Sequence, residues 1–295
     1  MNFNIKSTLW RSLDSALSIL KLIIPIYIVA DILFFYDFLN KLTSVFEPLT
    51  SFLNLPAESS LALVSGMFFN LYAAIAFAAP LGLSAKEWTI LAVFLGICHE
   101  LMIETAIMQR LKIPIIFSLL FRLTVGILGA WLVALLPDAL FGASAILTVE
   151  PLPSFSSFLE LFINSLKNAF ILALEVVLLV CGVIVLLDFL KTRAFIQNYS
   201  KKINVAYSLL VGTILGTTYG AGILIDEYKN SSMSLKEIWF VGTFLMVCHA
   251  IIEDTIIFVI FGANIWIIVA IRVVLAILFA FLVSLFFHLF LKKST

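Results

Sequence analysis

Cysteine, histidine and carboxylate come together twice in this chain. Cys98-His99, with Glu100, Glu104 and Thr105 close behind, recurs 150 positions later as Cys248-His249 with Glu253, Asp254 and Thr255, in a sequence that holds 3 cysteines and 3 histidines in all. Thiolate, neutral imidazole and carboxylate make a borderline-soft ligand set that suits Fe(II), Zn(II), Mn(II) or Co(II) better than Mg(II) or Ca(II). Cys98, His99, Cys248 and His249 are therefore the candidate metal ligands, with a divalent transition metal expected as substrate rather than as a resident cofactor. The same groups allow a second chemistry, in which a histidine titrating near neutrality beside carboxylates loads and releases protons during transport of an organic solute. A third reading is structural: Glu104 pairs with Arg122 and Asp254 with Arg272, because arginine is always charged and needs an acid beside it, while the histidines satisfy buried backbone. All three stay open at this point. Nucleophilic catalysis is not among them and no enzyme is expected, since adjacent residues stand about 100° apart around a helix and Cys98 cannot meet His99 as nucleophile and base. On continuous helices Glu100 and Glu104 share a face, as do His249 and Glu253. These acids, with Thr105, Asp254 and Thr255, are candidate substrate contacts.

The elements that position these groups are membrane helices. At 63% hydrophobic residues, 12% charged and 28 phenylalanines, with a mean hydropathy of +1.16, the composition excludes an ordinary soluble globule. A crossing of about 30 Å of hydrocarbon needs roughly 20 residues, and apolar runs of that order lie near 16–36, 88–110, 113–136, 166–188, 237–261 and 264–290. Two further runs are interrupted: 60–82 by Gly66, Asn70 and Pro80, and 207–225 by Gly212, Gly216, Thr217, Thr218, Gly220 and Gly222. Residues 84–135 laid on 234–285 give 17 identities in 52 positions, including Lys86/Lys236, Glu87/Glu237, Thr105/Thr255 and Arg122/Arg272. Matched polar residues inside apolar runs mark an internal duplication rather than shared composition.

Loop charge gives the orientation. The segment 37–59 has Lys41 against Asp37, Glu47 and Glu58, whereas its counterpart 189–204 has Lys191, Arg193, Lys201 and Lys202; Arg110 and Lys112 follow one copy of the Cys-His segment, and the equivalent Gly262-Ala263-Asn264 turn is uncharged. Basic loops stay cytoplasmic, so equivalent loops face opposite sides and the repeats are inverted. The expected fold is an all-α polytopic membrane protein of two inverted repeats, six full crossings plus two re-entrant hairpins, with residues 1–136 as the first repeat, 137–165 as a central loop and 166–295 as the second repeat. Both termini face the cytoplasm of a bacterial inner membrane. The interrupted runs 60–82 and 207–225 are the expected hairpins, since irregular backbone at membrane depth is tolerated where it lines a cavity, with the Cys-His segments as the rival pair. Stretches 38–54 and 189–203 read as amphipathic arms along the two membrane surfaces. Cys181 reads as packing and His288 as an interfacial side chain. A net charge of +0 and a pI of about 6.8 exclude a nucleic-acid partner; the expected partners are the lipid bilayer, a small ion or solute, and a second copy or another membrane subunit.

The glycine-rich segments Gly66-Met67-Phe68-Phe69-Asn70 and Gly216-Thr217-Thr218-Tyr219-Gly220, set in a duplicated, hairpin-bearing bundle, resemble the Gate, or nucleoside-recognition, domain family. That family is associated with concentrative nucleoside transporters, the membrane part of ferrous-iron uptake proteins and a pair of spore-maturation membrane proteins. The resemblance implies transport, with Asn70, Thr217 and Thr218 at hairpin tips as substrate-binding residues. A carrier or channel for a divalent transition metal is the leading expectation; a proton-coupled carrier of nucleosides or a related polar solute, and a non-transporting subunit of a membrane complex, are the alternatives. The chain has neither the GTP-binding domain of the iron-uptake relatives nor a Walker-type loop, and no carboxylate at the hairpin tips where the nucleoside transporters use one.

Overall fold

The computed structural model describes residues 5–36, 46–142, 157–191, 205–216 and 233–290. Every extended element among them is a helix, and no strand occurs among them. In chain order these are α1 (Ile5–Phe35), α2 (Glu47–Phe52), α3 (Ser59–Phe68), α4 (Leu71–Ala78), α5 (Ala85–Cys98), α6 (Leu101–Arg110), α7 (Ile115–Ala134), α8 (Phe158–Lys191), α9 (Val205–Leu215), α10 (Leu235–Val247), α11 (Ile251–Val259) and α12 (Ile265–Phe290). Among the described residues, 5 stretches are long and apolar enough to cross a membrane: Ala85–Arg110, Ile115–Ala134, Phe158–Leu186, Leu235–Val259 and Ile265–Phe286.

The duplication is visible in local structure. Ser84 and Ser234 open α5 and α10 with the same capping box, each accepting from the main-chain N–H of Glu87 or Glu237 while that glutamate accepts from the serine N–H. Helix α7 buries Ser118, Arg122, Val125, Gly126, Gly129, Ala130 and Val133, positions spaced at three and four, so one stripe faces the protein. Its other face, with Ile116 and Leu120, is exposed. The equivalent stripe of α12 buries Ile268, Arg272, Leu275, Ala276 and Ala280 and exposes Trp266, Val274 and Phe281. Exposed apolar side chains of this kind match a lipid surround. Helices α5–α6 and α10–α11 are instead the interior ones, 72% and 67% of their apolar windows being buried against 28–33% for the other three spans. Helix α1 runs along α8, α5 packs on α7, α10 on α12, and α4 lies on α1.

Three expectations are revised, and a fourth falls partly outside the described residues. The Cys-His segments are not continuous helices: α5 stops at Cys98 and α6 begins at Leu101, α10 stops at Val247 and α11 begins at Ile251. The run 60–82 is divided between α3 and α4 at Phe69-Asn70, so interruption does not distinguish it from the Cys-His segments. Of the run 207–225, the part from 217 onward, with Thr217 and Thr218, lies outside the described residues. Finally, the stretch assigned to the central loop is helical from Phe158 onward, because Leu161 and Ser165 sit four apart on the buried face of α8. Much of the two proposed surface arms, 38–45 and 192–203, lies outside the described residues, as does the side chain of His288.

Candidate metal centre

The interior helices break because their freed carbonyls find donors elsewhere. Glu100 and Ala250 take left-handed backbone, with φ of 47° and 41°, a region that non-glycine residues enter only when surrounding contacts hold them. The contacts here are the same in both copies. Glu100 donates its N–H to the carbonyl of Gly66 at 3.1 Å, and Ala250 to that of Gly212 at 3.3 Å. Arg122 donates from Nε to Ile97 O at 2.6 Å and from Nη2 to His99 O at 2.9 Å, while Arg272 does the same to Val247 O at 3.1 Å and His249 O at 2.7 Å. Each arginine thus caps the broken helix that lies 23 residues before it, meeting the rule that backbone polar groups away from water must be paired.

With both helices ended, the two histidines turn toward each other, their ring centroids 5.1 Å apart. Nδ1 of His99 lies 2.8 Å from Leu95 O, and Nδ1 of His249 lies 2.8 Å from Leu245 O. A carbonyl only accepts, so Nδ1 carries the proton in both rings and each Nε2 is aimed inward. His249 Nε2 faces Glu104 Oε1 at 2.8 Å, and His99 Nε2 faces the same oxygen at 3.9 Å. The ligand atoms of His99, Glu104 and His249 all lie within 4.8 Å of one another, and all three side chains are buried. With Nδ1 already protonated, a neutral His249 would point a lone pair at a carboxylate oxygen. The 2.8 Å separation is that of a hydrogen bond, with one proton between the two atoms; a metal ion bound to both at about 2.0–2.2 Å takes that place once they part to roughly 3 Å or more. Backbone carbonyls behind both imidazoles are the outer-shell arrangement that fixes the tautomer and orientation of metal-binding histidines.

The site is asymmetric. Glu104 holds Arg122 through Oε2 at 2.6 Å and leaves Oε1 for the histidines. Asp254, its counterpart, is one methylene shorter and stays with Arg272 at 3.2 Å. Arg272 also crosses to the other copy, donating from Nη2 to Gly96 O at 2.6 Å. That approach requires a glycine: a Cβ on Gly96 would stand 2.9 Å from Arg272 Nη1, and the corresponding residue of the second copy is Met246. Gly96→Ala is therefore expected to displace the guanidinium and destabilise the fold by about 1–3 kcal/mol, the cost of overpacking a close contact, as read by reversible unfolding in mixed micelles. An unchanged stability would place Arg272 elsewhere.

The remaining candidates sit around this core. The thiols stand outside the ligand group: Cys98 Sγ donates to Arg122 O at 3.1 Å, in space left by the missing side chain of Gly126, and Cys248 is fully buried. Cys98→Ser and Cys248→Ser should accordingly leave metal affinity unchanged in calorimetric titration with Co(II), whereas a marked loss would return the thiols to the ligand set. Thr105 Oγ1 lies 3.4 Å from Ser118 Oγ, and Thr255 is buried. Glu100 and Glu253 are half-buried and close enough to interact electrostatically with Glu104 and Asp254. Tyr72, from α4, donates its hydroxyl to Glu253 Oε1 at 3.5 Å. Asn70 caps α4, its Oδ1 accepting from Ala73 N at 3.0 Å, which engages the side-chain oxygen assigned to substrate. The sequence reading missed the capping role of the arginines; the equal 23-residue spacing from His99 to Arg122 and from His249 to Arg272 was its signal.

No family model and no solved structure matches the chain. Over 274 residues, covering 88% of this chain and 86% of the relative, it is 28% identical to the uncharacterized membrane protein YvoD of Bacillus subtilis (strain 168). With 5 stretches among the described residues long and apolar enough to cross a bilayer, the chain is an integral membrane protein, similar along most of its length to another membrane protein.

Proposed function

We propose that the protein is a secondary carrier or channel of the Gate type for a divalent transition-metal ion, built from two inverted repeats in a bacterial inner membrane. His99, His249 and Glu104 are the ligands at the middle of the path. The observation that supports this reading is the convergence of His99, His249 and Glu104, whose ligand atoms lie within 4.8 Å of one another, with both Nδ1 atoms committed to carbonyls so that each Nε2 is left for a cation. Two nitrogens and one oxygen, without thiolate, favour Mn(II), Fe(II), Co(II), Ni(II) or Zn(II) over soft Cu(I). Paired broken helices in corresponding positions of two halves are where secondary carriers place such sites. Arg122 compensates Glu104, so the further negative charge a dication needs comes from Glu100 and Glu253 at the edge of the site. Alternating access then consists of one repeat rocking against the other around the histidine pair.

A proton in the same position gives a second reading, that of a proton-coupled carrier of a polar solute. Purified protein in liposomes separates the two. Entry of Co(II) or Mn(II) that depends on His99 and His249 supports metal transport. Vesicles as tight to these ions with the protein as without it would remove it.

A further inference from the structure

A second buried acid lies away from the histidines. Asp31, on α1, is 0% exposed and meets α8, where its Oδ2 lies 2.5 Å from Ser165 Oγ. Its Oδ1 is buried and has no hydrogen-bond partner. Tyr27, one turn earlier on the same face and 1% exposed, is hydrogen-bonded to Asn168 of α8. The contact contains no counter-charge: among the described residues no ion pair includes Asp31. From α8 it meets Ser165 and Asn168, the nearest charged residues of that helix, Glu160 and Lys167, being exposed; α4, which also packs on α1, carries no charged residue, and its Tyr72 is turned to Glu253. On α1 itself Lys21 is exposed and Tyr27 is the neighbouring titratable group. An ionised carboxylate seeks several donors and a cation, and this one would have a single hydroxyl. The neutral acid fits what is there.

We propose that Asp31 is a proton-binding carboxyl at the α1–α8 contact, loaded in this conformation and discharged when the two helices part. On discharge the O–H bond breaks, the electron pair stays on the carboxylate and the proton passes to water admitted between the helices. The contact is placed to sense transport. Helix α4, which brings Tyr72 to Glu253, lies on α1, and α11, which carries Glu253 and Asp254, touches α8. Rocking of one repeat on the other slides α1 along α8 and opens Asp31 to water. The offset of 150 that relates the later helices sends Asp31 to Cys181, whose thiol donates to Ser12 O at 3.5 Å, so the second copy supplies no matching acid. Proton loading would thereby drive metal movement with the proton gradient.

The coupling rests on the carrier reading; the protonated state does not, so two measurements are paired. Infrared spectra of the full-length protein in liposomes at neutral pH should contain the C=O stretch of a protonated carboxyl that is lost in Asp31→Asn and shifted in Ser165→Ala. No such band in the wild type, or a band that both variants leave untouched, overturns the proton site. Should Asp31→Asn fail to fold, Ser165→Ala decides alone: a shift assigns the band to Asp31, and no shift overturns the assignment. In the second measurement an imposed pH gradient drives Co(II) accumulation by the wild type. Asp31→Asn should lose that dependence and keep its Co(II) affinity, with Asp31→Glu regaining the dependence. Undiminished gradient-driven accumulation by Asp31→Asn overturns the coupling, whereas a wild type that moves no Co(II) overturns the carrier reading and leaves the infrared result standing.

Discussion

Arg122→Met is expected to destabilise the folded protein by about 3–5 kcal/mol, the range for removing one partner of a buried ion pair. The substitution strands Glu104, whose Oε2 lies 2.6 Å from the guanidinium, and it orphans the carbonyls of Ile97 and His99 at the end of α5. Both losses fall at membrane depth, where no water replaces the donor. Arg122→Lys should recover little, since a single ammonium cannot reach two carbonyls and a carboxylate together. Adding Glu104→Gln to Arg122→Met should recover the part that belongs to the stranded charge and leave the part that belongs to the carbonyls. Reversible unfolding of the three variants in mixed micelles measures this. A loss for Arg122→Met below about 1 kcal/mol, the value of an exposed pair, would mean that the arginine does not hold the break.

The second large effect concerns binding. His249→Ala and His99→Ala should each weaken Co(II) binding by more than about 100-fold, since substitution of outer-shell groups already costs roughly 10–100-fold in metal affinity and in the proposed site these residues supply the ligand atoms. Glu104→Asp is the sharper variant. It keeps the charge and the pairing with Arg122 but withdraws the oxygen by one methylene, as Asp254 already does in the other copy, where the carboxylate rests on Arg272 at 3.2 Å. It should therefore lose metal affinity nearly as fully as the histidine variants and lose little stability. Asp254→Asn, by contrast, should leave Co(II) affinity close to wild type. Calorimetric titration of the four variants checks the order, and equal effects of Glu104→Asp and Asp254→Asn would contradict a site built on one copy's acid.

What the sequence made legible follows from how the membrane filters residues. His99, Glu104 and Arg122 stand out in apolar runs because each is costly there, and the recurrence of histidine and arginine at one offset, as His249 and Arg272 with Asp254 in place of Glu104, exposes the duplication. The pairing of Glu104 with Arg122 and of Asp254 with Arg272 could be read from charge alone. The helix breaks at His99-Glu100 and His249-Ala250 were legible only as the rival to the interrupted runs, because a break is ordinarily announced by glycine or proline, whereas here it is stabilised by arginines 23 residues away and by the carbonyls of Gly66 and Gly212. The glycine correspondence was also out of reach. An offset of 150 sets Gly66 on Gly216, yet Gly66 and Gly212 do the same work, each accepting from the left-handed residue and each giving room to Leu95 or Leu245. A slip of one helical turn keeps the same face, so the sequence pattern tolerates both registers. The thiols stood out for their chemistry, but on an unbroken helix no spacing argument could turn Cys98 toward the Arg122 carbonyl and leave His99 at the centre.

The most direct test is X-ray absorption of the protein loaded with one equivalent of Co(II). A metal held by His99, His249 and Glu104 gives a first shell of nitrogen and oxygen with imidazole outer-shell scattering and no sulfur, and the imidazole signal disappears in the double variant His99→Ala, His249→Ala. A shell of oxygen alone in the wild type, or a spectrum that the double variant leaves unchanged, would contradict a metal site at the helix breaks.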